Sequence, residues 1–195
     1  MAAPSIMFEA AMRARSRTGV LLIPVVLRLT VAAAAAADGG ETREEILRAA
    51  RRVIEAAGLA TLITLDCEGQ PQARIMDAFP PEKDFTVWMA TNRSTRKVGQ
   101  IRSDPRTTLH YVDPAGASYV TLIGRSEVVE DPAARERHWK EEWAAFYEDG
   151  PWGEDFLLIR FRPLRLEIVS IEHGIAAEPR SWRPAIVEFD SGQPR

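Results

Sequence analysis

Cysteine is nearly absent from this chain, in which Cys67 is the single one among 195 residues. One cysteine excludes an internal disulfide and any zinc site built on several cysteines, so the fold must be held together by a hydrophobic core. Histidine is scarce too. His110, His138 and His173 lie far apart, and none has a partner at the spacing of a metal-ligand pair. We therefore expect no metal site.

A strong excess of charge of one sign is also lacking. With 25 Lys and Arg against 28 Asp and Glu, the formal net charge is −3, whereas nucleic-acid-binding proteins usually carry a clear basic excess. Pro24 and Arg28 leave no stretch of about 20 apolar residues, the length that spans a bilayer. The chain contains no G-x-S-x-G, P-loop or G-x-G-x-x-G motif. These absences predict a globular protein with neither a nucleic-acid partner nor a membrane span.

The first 37 residues differ from the rest in composition. Three arginines between positions 13 and 17 precede an apolar run, and six alanines that end at Ala37 follow it. These are the three parts of a secretory signal, which predicts a signal peptide over 1–37 and an exported protein, periplasmic or secreted. The arginines begin late and Arg28 interrupts the apolar segment, so a disordered extension or a misassigned start codon, with a cytoplasmic protein, is the alternative. The rest of the chain is predicted to form one domain, 38–175, and a tail, 176–195.

A helix is predicted at the start of this domain. Thr42 and Glu45 form a capping box, Gly58 provides a stop signal, and apolar residues recur between them at helical spacing. About six strands follow in hairpin order, separated by turns rich in Gly, Pro and Asp. Gly124, inside the long strand 118–130, predicts a bulge or a sharp bend. Short turns between neighbours predict an antiparallel sheet, which six strands can close into a small barrel.

A second helix is predicted from Asp131 to Tyr147. Pro132 stands at its first position, and Trp139, Trp143 and Phe146 form a stripe at helical spacing that predicts packing in the core or at an interface.

The segments 156–161 and 166–171 are then predicted to form a last hairpin that is broken at Pro163.

The loop after the third predicted strand is unusually polar. Between Thr91 and Lys97 it contains three hydroxyls and three cations in seven residues. At the start of a helix such a set suits a phosphate ester, which binds charge-assisted donors and free backbone N–H groups. The same residues are equally consistent with Thr95 capping a surface helix while Arg96 and Lys97 extend into water. The pattern alone leaves both interpretations open.

Asp77 is the one carboxylate in an unexpected place, because it lies inside the second predicted strand between two apolar residues. On the exterior of a barrel it needs no explanation, whereas on the interior it would need a hydrogen-bond partner.

Four segments stand together in an order that resembles a known family. They are ARIMDAF (73–79), WMATN-x-S-T-R-K-V (88–98), S-D-P-R-T-T-L (103–109) and YVTLIGRSEVVED (119–131). This order resembles the FMN-binding split-barrel family of pyridoxamine 5′-phosphate oxidase, and within it the general stress protein 26-like branch. The resemblance spans about 44–170. It implies a mainly β (α+β) fold, a six-stranded antiparallel Greek-key split barrel with flanking helices, and a homodimer that binds FMN at the subunit interface.

The resemblance also implies a set of FMN-binding positions. Arg74 would meet the phosphate, and the backbone from Ile75 through Met76 to Asp77 would run along the isoalloxazine ring. The phosphate site would be completed by Thr91, Thr95, Arg96 and Lys97. Tyr119 falls where the oxidases have a glutamine that touches the flavin.

Two departures from the oxidases limit what the resemblance implies about activity. Phe79 stands where the oxidases have a lysine, and Val169 stands where their R-x-E-x-W motif has its tryptophan. The Arg and His residues that hold pyridoxal phosphate are absent as well, so oxidation of pyridoxamine phosphate is not expected.

The leading function is a flavin-dependent oxidoreductase that acts on an unknown small molecule, with no residue assigned as catalytic. The alternatives are a non-catalytic flavin-binding stress protein, or a split barrel that binds deazaflavin or haem. For haem, His110 and His173 give only weak support.

Overall fold

A computed structural model describes residues 41–175 and 182–190. The predicted signal peptide at 1–37 lies outside the described residues, so it stays a prediction, as does the export that it implies. In the described part of the chain, no helix is both long enough and apolar enough to cross a membrane.

The described residues form three α-helices, seven strands and two short 3-10 helices. The elements are α1 Arg43–Ala57, β1 Ala60–Leu65, β2 Pro71–Met76, β3 Val87–Asn92, α2 Arg96–Ser103, β4 Arg106–Asp113, β5 Ser118–Val129, α3 Pro132–Arg137, the 3-10 helices Glu141–Ala145 and Gly150–Trp152, β6 Phe156–Ser170 and β7 Ala185–Glu188.

The strands form one antiparallel sheet in the order β2-β1-β4-β5-β6-β3, and β7 pairs with β6. Just past the end of β2, Ala78 bridges to Met89 of β3, and the N–H of Phe79 donates to the carbonyl of Trp88 at 2.9 Å. The sheet therefore closes at this one end, and no pairing joins the described remainder of β2 and β3. The predicted antiparallel split barrel is confirmed, and β7 is a seventh strand that was not predicted.

Helix α1 forms for the local reasons that its sequence predicts. The N–H of Thr42 donates to the Glu45 carboxylate at 2.9 Å, and the N–H of Glu45 donates to the Thr42 hydroxyl at 3.3 Å. Gly58 ends the helix with a φ of 67°, in the left-handed region where glycine carries no Cβ penalty. The apolar face of α1, which includes Val53 and Ile54, packs against β4 and β5.

The predicted hairpin between 156 and 171 is wrong, because β6 runs through it as a single strand. The register of β5 and β6 shifts between Ile123 and Gly124, and Pro163 lies opposite Gly124. A Cβ on Gly124 would overlap the carbonyl oxygen of Arg162. Proline is tolerated at such a bulge because the ladder loses a hydrogen bond there in any case. The bulge predicted at Gly124 is thus confirmed, and it explains why Pro163 does not end the strand.

The predicted second helix is wrong beyond its first turns, since α3 ends at Arg137. His138 leaves the helical conformation, and its ring stacks on Trp88 of β3 with a centroid distance of 4.1 Å. Its Nδ1 donates to the carbonyl of Ala134 at 3.0 Å. A tertiary contact therefore ends the helix where the sequence pattern would continue it.

Because the helix ends early, the three residues of the predicted aromatic stripe differ in burial. Trp143 is buried and Trp139 is partly buried, and both pack against Phe156. Phe146 is 76% exposed, so its predicted packing within the chain is not observed, and Tyr147 joins the buried cluster instead.

Candidate functional site

Arg74 is held at the face of β2 that meets α2. Its Nη1 donates to the carbonyl of Leu62 at 3.2 Å and to Oγ1 of Thr64 at 2.7 Å, while Nη2 donates to Oε1 of Gln100 at 3.1 Å. All three acceptors are neutral. Burial, followed by the charge of Arg96, lowers the pKa of Arg74. The guanidinium is therefore positioned by hydrogen bonds but keeps an uncompensated charge.

Helix α2 adds two more cations at its first turn. Burial first, and then the charge of Arg74, lowers the pKa of Lys97, while Arg96 is exposed. Across the described ranges, neither of these residues nor Arg74 forms an ion pair with a carboxylate. Arg96 also acts on Asp66, whose pKa is lowered chiefly by the backbone N–H of Gln70 and least by the charge of Arg96. Three neighbouring cations without a counter-ion repel one another, and a bound anion would relieve that repulsion.

Thr95 occupies the N-cap position of α2 but does not cap it. Its Oγ1 donates to the carbonyl of Asn92 at 2.8 Å and lies 3.0 Å from Oγ1 of the buried Thr91. The helix has no hydrogen bond from a capping side chain to its first turn. The interpretation of Thr95 as a cap is therefore wrong, and two hydroxyls accompany the first-turn N–H groups of α2, which suit an anionic ligand.

The backbone from Ile75 to Asp77 lies at an open sheet edge. Within residues 41–175 and 182–190, strand β2 pairs with β1 alone up to the bridge at Ala78. The side chain of Ile75 is 70% exposed on the outer face of the sheet, whereas Met76 is buried in the core. The peptide groups here can therefore be approached by a flat, polar-edged ligand.

Asp77 lies one residue past the end of β2, not in mid-strand as predicted, and it is tied to the segment after α3. Its carboxylate accepts hydrogen bonds from Nζ of Lys140 at 2.7 Å and from Nε1 of Trp143 at 2.9 Å. Burial would raise the pKa of Asp77, but these two hydrogen bonds and the charge of Lys140 together outweigh it, so the pKa is lowered. The two partners come from 63 and 66 residues further along the chain, so the sequence pattern offered no signal for them.

Tyr119 lies apart from the other predicted FMN-binding residues. It lies on the outer face of β5, opposite Val112 and Val169, with its ring 5.7 Å from that of His110. Burial, and then Glu167, raises the pKa of Tyr119. Two strands, β1 and β4, separate its strand from β2. Within one chain, Tyr119 therefore does not share a site with Arg74.

Two residues of the site were missed at the level of sequence. Thr64 is fully buried on β1, and Gln100 lies on the second turn of α2. The signal for Thr64 was a polar residue between two apolar neighbours, on the face of β1 that points inward. The role of Thr64 could not be predicted, because it depends on the side chains that the fold places beside it.

Elsewhere in the described residues, no three His, Cys, Asp or Glu side chains are grouped closely enough to hold a metal ion.

Comparisons with known proteins agree with this fold. Residues 45–168 match the family model described as pyridoxamine 5′-phosphate oxidase like. No curated protein matches the sequence. Among solved structures, a Clostridium acetobutylicum protein related to general stress protein 26 of Bacillus subtilis, of the pyridoxine phosphate oxidase family, has a TM-score of 0.64 at 19% identity. The match covers 76% of this chain and 97% of that one.

Two further structures have the same fold. General stress protein 26 from Bacillus anthracis gives a TM-score of 0.56 at 19% identity, over 75% of this chain and 97% of that one. A haem-binding protein from Mycobacterium smegmatis gives 0.53 at 23% identity, over 71% of this chain and 56% of that one. At these identities the similarity shows the fold alone.

Proposed function

Because this chain belongs to the pyridoxamine 5′-phosphate oxidase-like family, we propose that it is an FMN-binding protein. The observation that carries the proposal is the group of three cations, Arg74, Arg96 and Lys97, which within the described residues have no carboxylate partner at the uncapped start of α2. A phosphate monoester supplies the missing negative charge and three acceptor oxygens. The ligand chemistry that suits this site is therefore an anion such as a phosphate ester, and not a metal cation.

The donors present fit the phosphate group. Arg74 and Arg96 would provide charge-assisted hydrogen bonds, and Lys97 would provide a point charge. Thr91 and Thr95 would add hydroxyl groups, and the first-turn N–H groups of α2 would add the favourable end of the helix dipole. Each of these groups lies on a helix or strand or next to one, so the fold fixes the backbone positions from which they would bind an anion.

The open edge of β2 fits the flavin ring. The peptide groups from Ile75 to Asp77 would face the polar edge of the isoalloxazine, and the hydrogen bonds from Lys140 and Trp143 hold Asp77 at the end of this edge. Bound flavin would supply redox chemistry, so we propose a flavin-dependent oxidoreductase that acts on a small molecule. The side chains of this chain would bind and orient the cofactor.

A second copy of this chain is the proposed partner. One row of paired residues runs across the outer face of the sheet, from Ile75 on β2 through His110 on β4 to Ile186 on β7. Ile75, Ile186 and the neighbouring Val112 are all exposed. Exposed apolar groups along one sheet face are typical of an interface. In a homodimer formed through this face, Tyr119 would reach the flavin from the other subunit, which accounts for its distance from Arg74.

Absorption spectroscopy and titration test the proposal. The purified protein, or the protein after addition of FMN, should show flavin absorption bands, and it should bind FMN more tightly than riboflavin, which lacks the phosphate. Replacing both Arg96 and Lys97 by alanine should weaken FMN binding by about 3–6 kcal/mol, given about 1.5–3 kcal/mol for each hydrogen bond to a charged group. Undiminished FMN affinity in the double variant would refute the phosphate assignment. A protein that ignores FMN would refute the function, and a haem spectrum would favour the alternative ligand.

If flavin is bound, turnover is tested by its reduction. Anaerobic mixing with NADH or NADPH should bleach the flavin absorption, and an electron acceptor should restore it. Bound flavin that neither nucleotide reduces would favour a non-catalytic flavin-binding protein.

A further inference from the structure

The hydrogen bonds around Arg74 form a closed ring with Thr64 and Gln100, neither of which is a proposed ligand of FMN. Arg74 donates to Oγ1 of Thr64 at 2.7 Å and to Oε1 of Gln100 at 3.1 Å, and Oγ1 of Thr64 lies 2.6 Å from the same Oε1. The three side chains come from β2, β1 and α2. The ring therefore joins two strands of the barrel to the helix that begins the phosphate site.

The chemistry of the three groups fixes the direction of every bond in the ring. A guanidinium can only donate, so both oxygens accept from Arg74. The one hydroxyl hydrogen of Thr64 is then free to point at Gln100, whose amide must present its oxygen and not its nitrogen. Thr64 has no exposed surface, so water cannot replace a lost partner there. The ring thus admits one arrangement of its hydrogens.

The ring orients Arg74 without neutralising it. A carboxylate at position 100 would bind the guanidinium more strongly, because charge-assisted pairs are roughly twice as strong as neutral ones. It would also cancel the charge that an incoming anion needs. Gln100 accepts through a neutral oxygen, and the other two acceptors, Thr64 and the carbonyl of Leu62, are neutral as well.

We propose that Thr64 and Gln100 are positioning residues that hold Arg74 at the phosphate site with its charge uncompensated, and that they thereby set the preference for phosphorylated over unphosphorylated flavin. This inference rests on the proposed binding of FMN. It predicts that changes in the ring alter the ratio of FMN to riboflavin affinity, because riboflavin has the same ring system without the phosphate that Arg74 would contact.

The first test changes Thr64. Thr64→Val removes the oxygen while keeping the shape of the side chain, and it should lower FMN affinity by roughly tenfold, the equivalent of about 1.4 kcal/mol. This loss of FMN affinity corresponds to the net contribution of one hydrogen bond to the phosphate-binding group. Riboflavin affinity should change by less than about twofold, because riboflavin has no phosphate for Arg74 to contact. Thr64→Ser keeps the hydroxyl and should restore the wild-type ratio. If Thr64 had only a structural role, Thr64→Val and Thr64→Ser would both lower thermal stability and leave the ratio of FMN to riboflavin affinity unchanged.

The second test changes the charge at position 100. Gln100→Glu keeps the size of the side chain and should pair with Arg74, so that FMN affinity falls roughly 10- to 100-fold while the protein without ligand melts no lower than wild type. Gln70→Glu is the matched control, because it adds the same charge at an exposed position of the β1–β2 turn, outside the ring. The control should change the FMN-to-riboflavin ratio by less than about threefold, since exposed charges are screened.

The outcomes separate the two proposals. If wild-type protein prefers FMN to riboflavin and the ratio is the same in Thr64→Val and Gln100→Glu, the positioning role is refuted and FMN binding stands. If Thr64→Ser fails to restore the ratio, the role of the hydroxyl is refuted. A wild-type protein that binds FMN no more tightly than riboflavin would refute the positioning role and the phosphate assignment, because Arg74 would then hold no phosphate. A protein that binds neither flavin would refute the proposed function as well.

Discussion

The ammonium of Lys97 lies near enough to the guanidinium of Arg74 for the two charges to repel, and this repulsion adds to burial in lowering the pKa of Lys97. A base whose pKa is lower in the folded chain than in the unfolded chain binds fewer protons when folded. Its protonated form therefore opposes folding at neutral pH, and stability rises with pH between the folded pKa and the unfolded value near 10.4. A bound phosphate would remove this destabilising repulsion between Lys97 and Arg74.

Lys97→Met should consequently stabilise the protein without ligand while weakening FMN binding. Solvent screening limits the gain to less than about 1 kcal/mol, or at most roughly 2–4 °C in melting temperature for a chain of this size. Differential scanning fluorimetry with and without FMN measures both effects. A variant that melts lower than wild type in the absence of ligand would contradict the repulsion between Lys97 and Arg74.

FMN affinity should depend on pH with two limbs. Below about pH 6 the phosphate takes up its second proton and loses charge. At high pH the affinity should fall as Lys97 loses its proton, and this should begin below the range of an ordinary lysine because its pKa is lowered. Fluorescence titrations across the pH range measure both limbs. In Lys97→Met the high-pH limb should be absent and the low-pH limb unchanged.

Asp77→Asn should loosen the segment that follows α3. The variant loses the ion pair with Lys140 and weakens the hydrogen bond from Trp143, at a cost of about 1 kcal/mol after screening of a half-exposed carboxylate. The pKa of Asp77 is lowered on folding, so its contribution is present above the unfolded pKa near 3.9 and is lost as the pH falls towards the folded value.

Urea unfolding of Asp77→Asn, followed by tryptophan fluorescence at pH 7 and again near pH 3, checks this prediction. The difference from wild type should shrink at the lower pH. Glu141→Gln changes an exposed carboxylate in the same segment and should be indistinguishable from wild type at both pH values.

Gly124→Ala should be strongly destabilising, because the new methyl group would overlap the carbonyl oxygen of Arg162 at the β5–β6 bulge. We expect a loss of about 2–4 kcal/mol, in the range of overpacking with a backbone shift. Gly99→Ala is the control, since a Cβ there has no neighbour within 4 Å and should stabilise α2 by about 0.5–1 kcal/mol. Chemical denaturation measures both changes. Equal stability of Gly124→Ala and wild type would contradict the close approach of the two strands.

Val112→Glu should disrupt the proposed homodimer. Val112 and Ile171 are equally exposed, at 48% each, but Val112 lies opposite Tyr119 on the outer sheet face, while Ile171 lies in the turn after β6. A charge on the interface should shift the protein towards monomers in sedimentation velocity, because an unpaired buried charge is costly. Ile171→Glu should sediment like wild type. A wild-type protein that is monomeric at high concentration would end the dimer proposal.

Features encoded by neighbouring residues could be predicted well. The capping box of Thr42 and Glu45, the stop at Gly58 and the bulge at Gly124 each depend on local conformational preferences, and each is observed. The polar loop from Thr91 to Lys97 was likewise visible as a candidate phosphate site. The structure contradicts one part of the alternative interpretation, since the hydroxyl of Thr95 donates to the carbonyl of Asn92 and does not cap the helix. The phosphate site itself stays a prediction.

Other features depend on what the fold places side by side. Pro163 continues a strand because Gly124 lies opposite it, and α3 ends early because His138 stacks on Trp88. Thr64, Arg74 and Gln100 meet only because β1 pairs with β2 in one register and α2 packs beside them. Local sequence thus specifies caps, turns and the residue types of a binding loop, because these depend on the backbone preferences of adjacent residues. The orientation of Arg74 and the separation of Tyr119 from it were decided by strand order and register, which arise from contacts between distant segments.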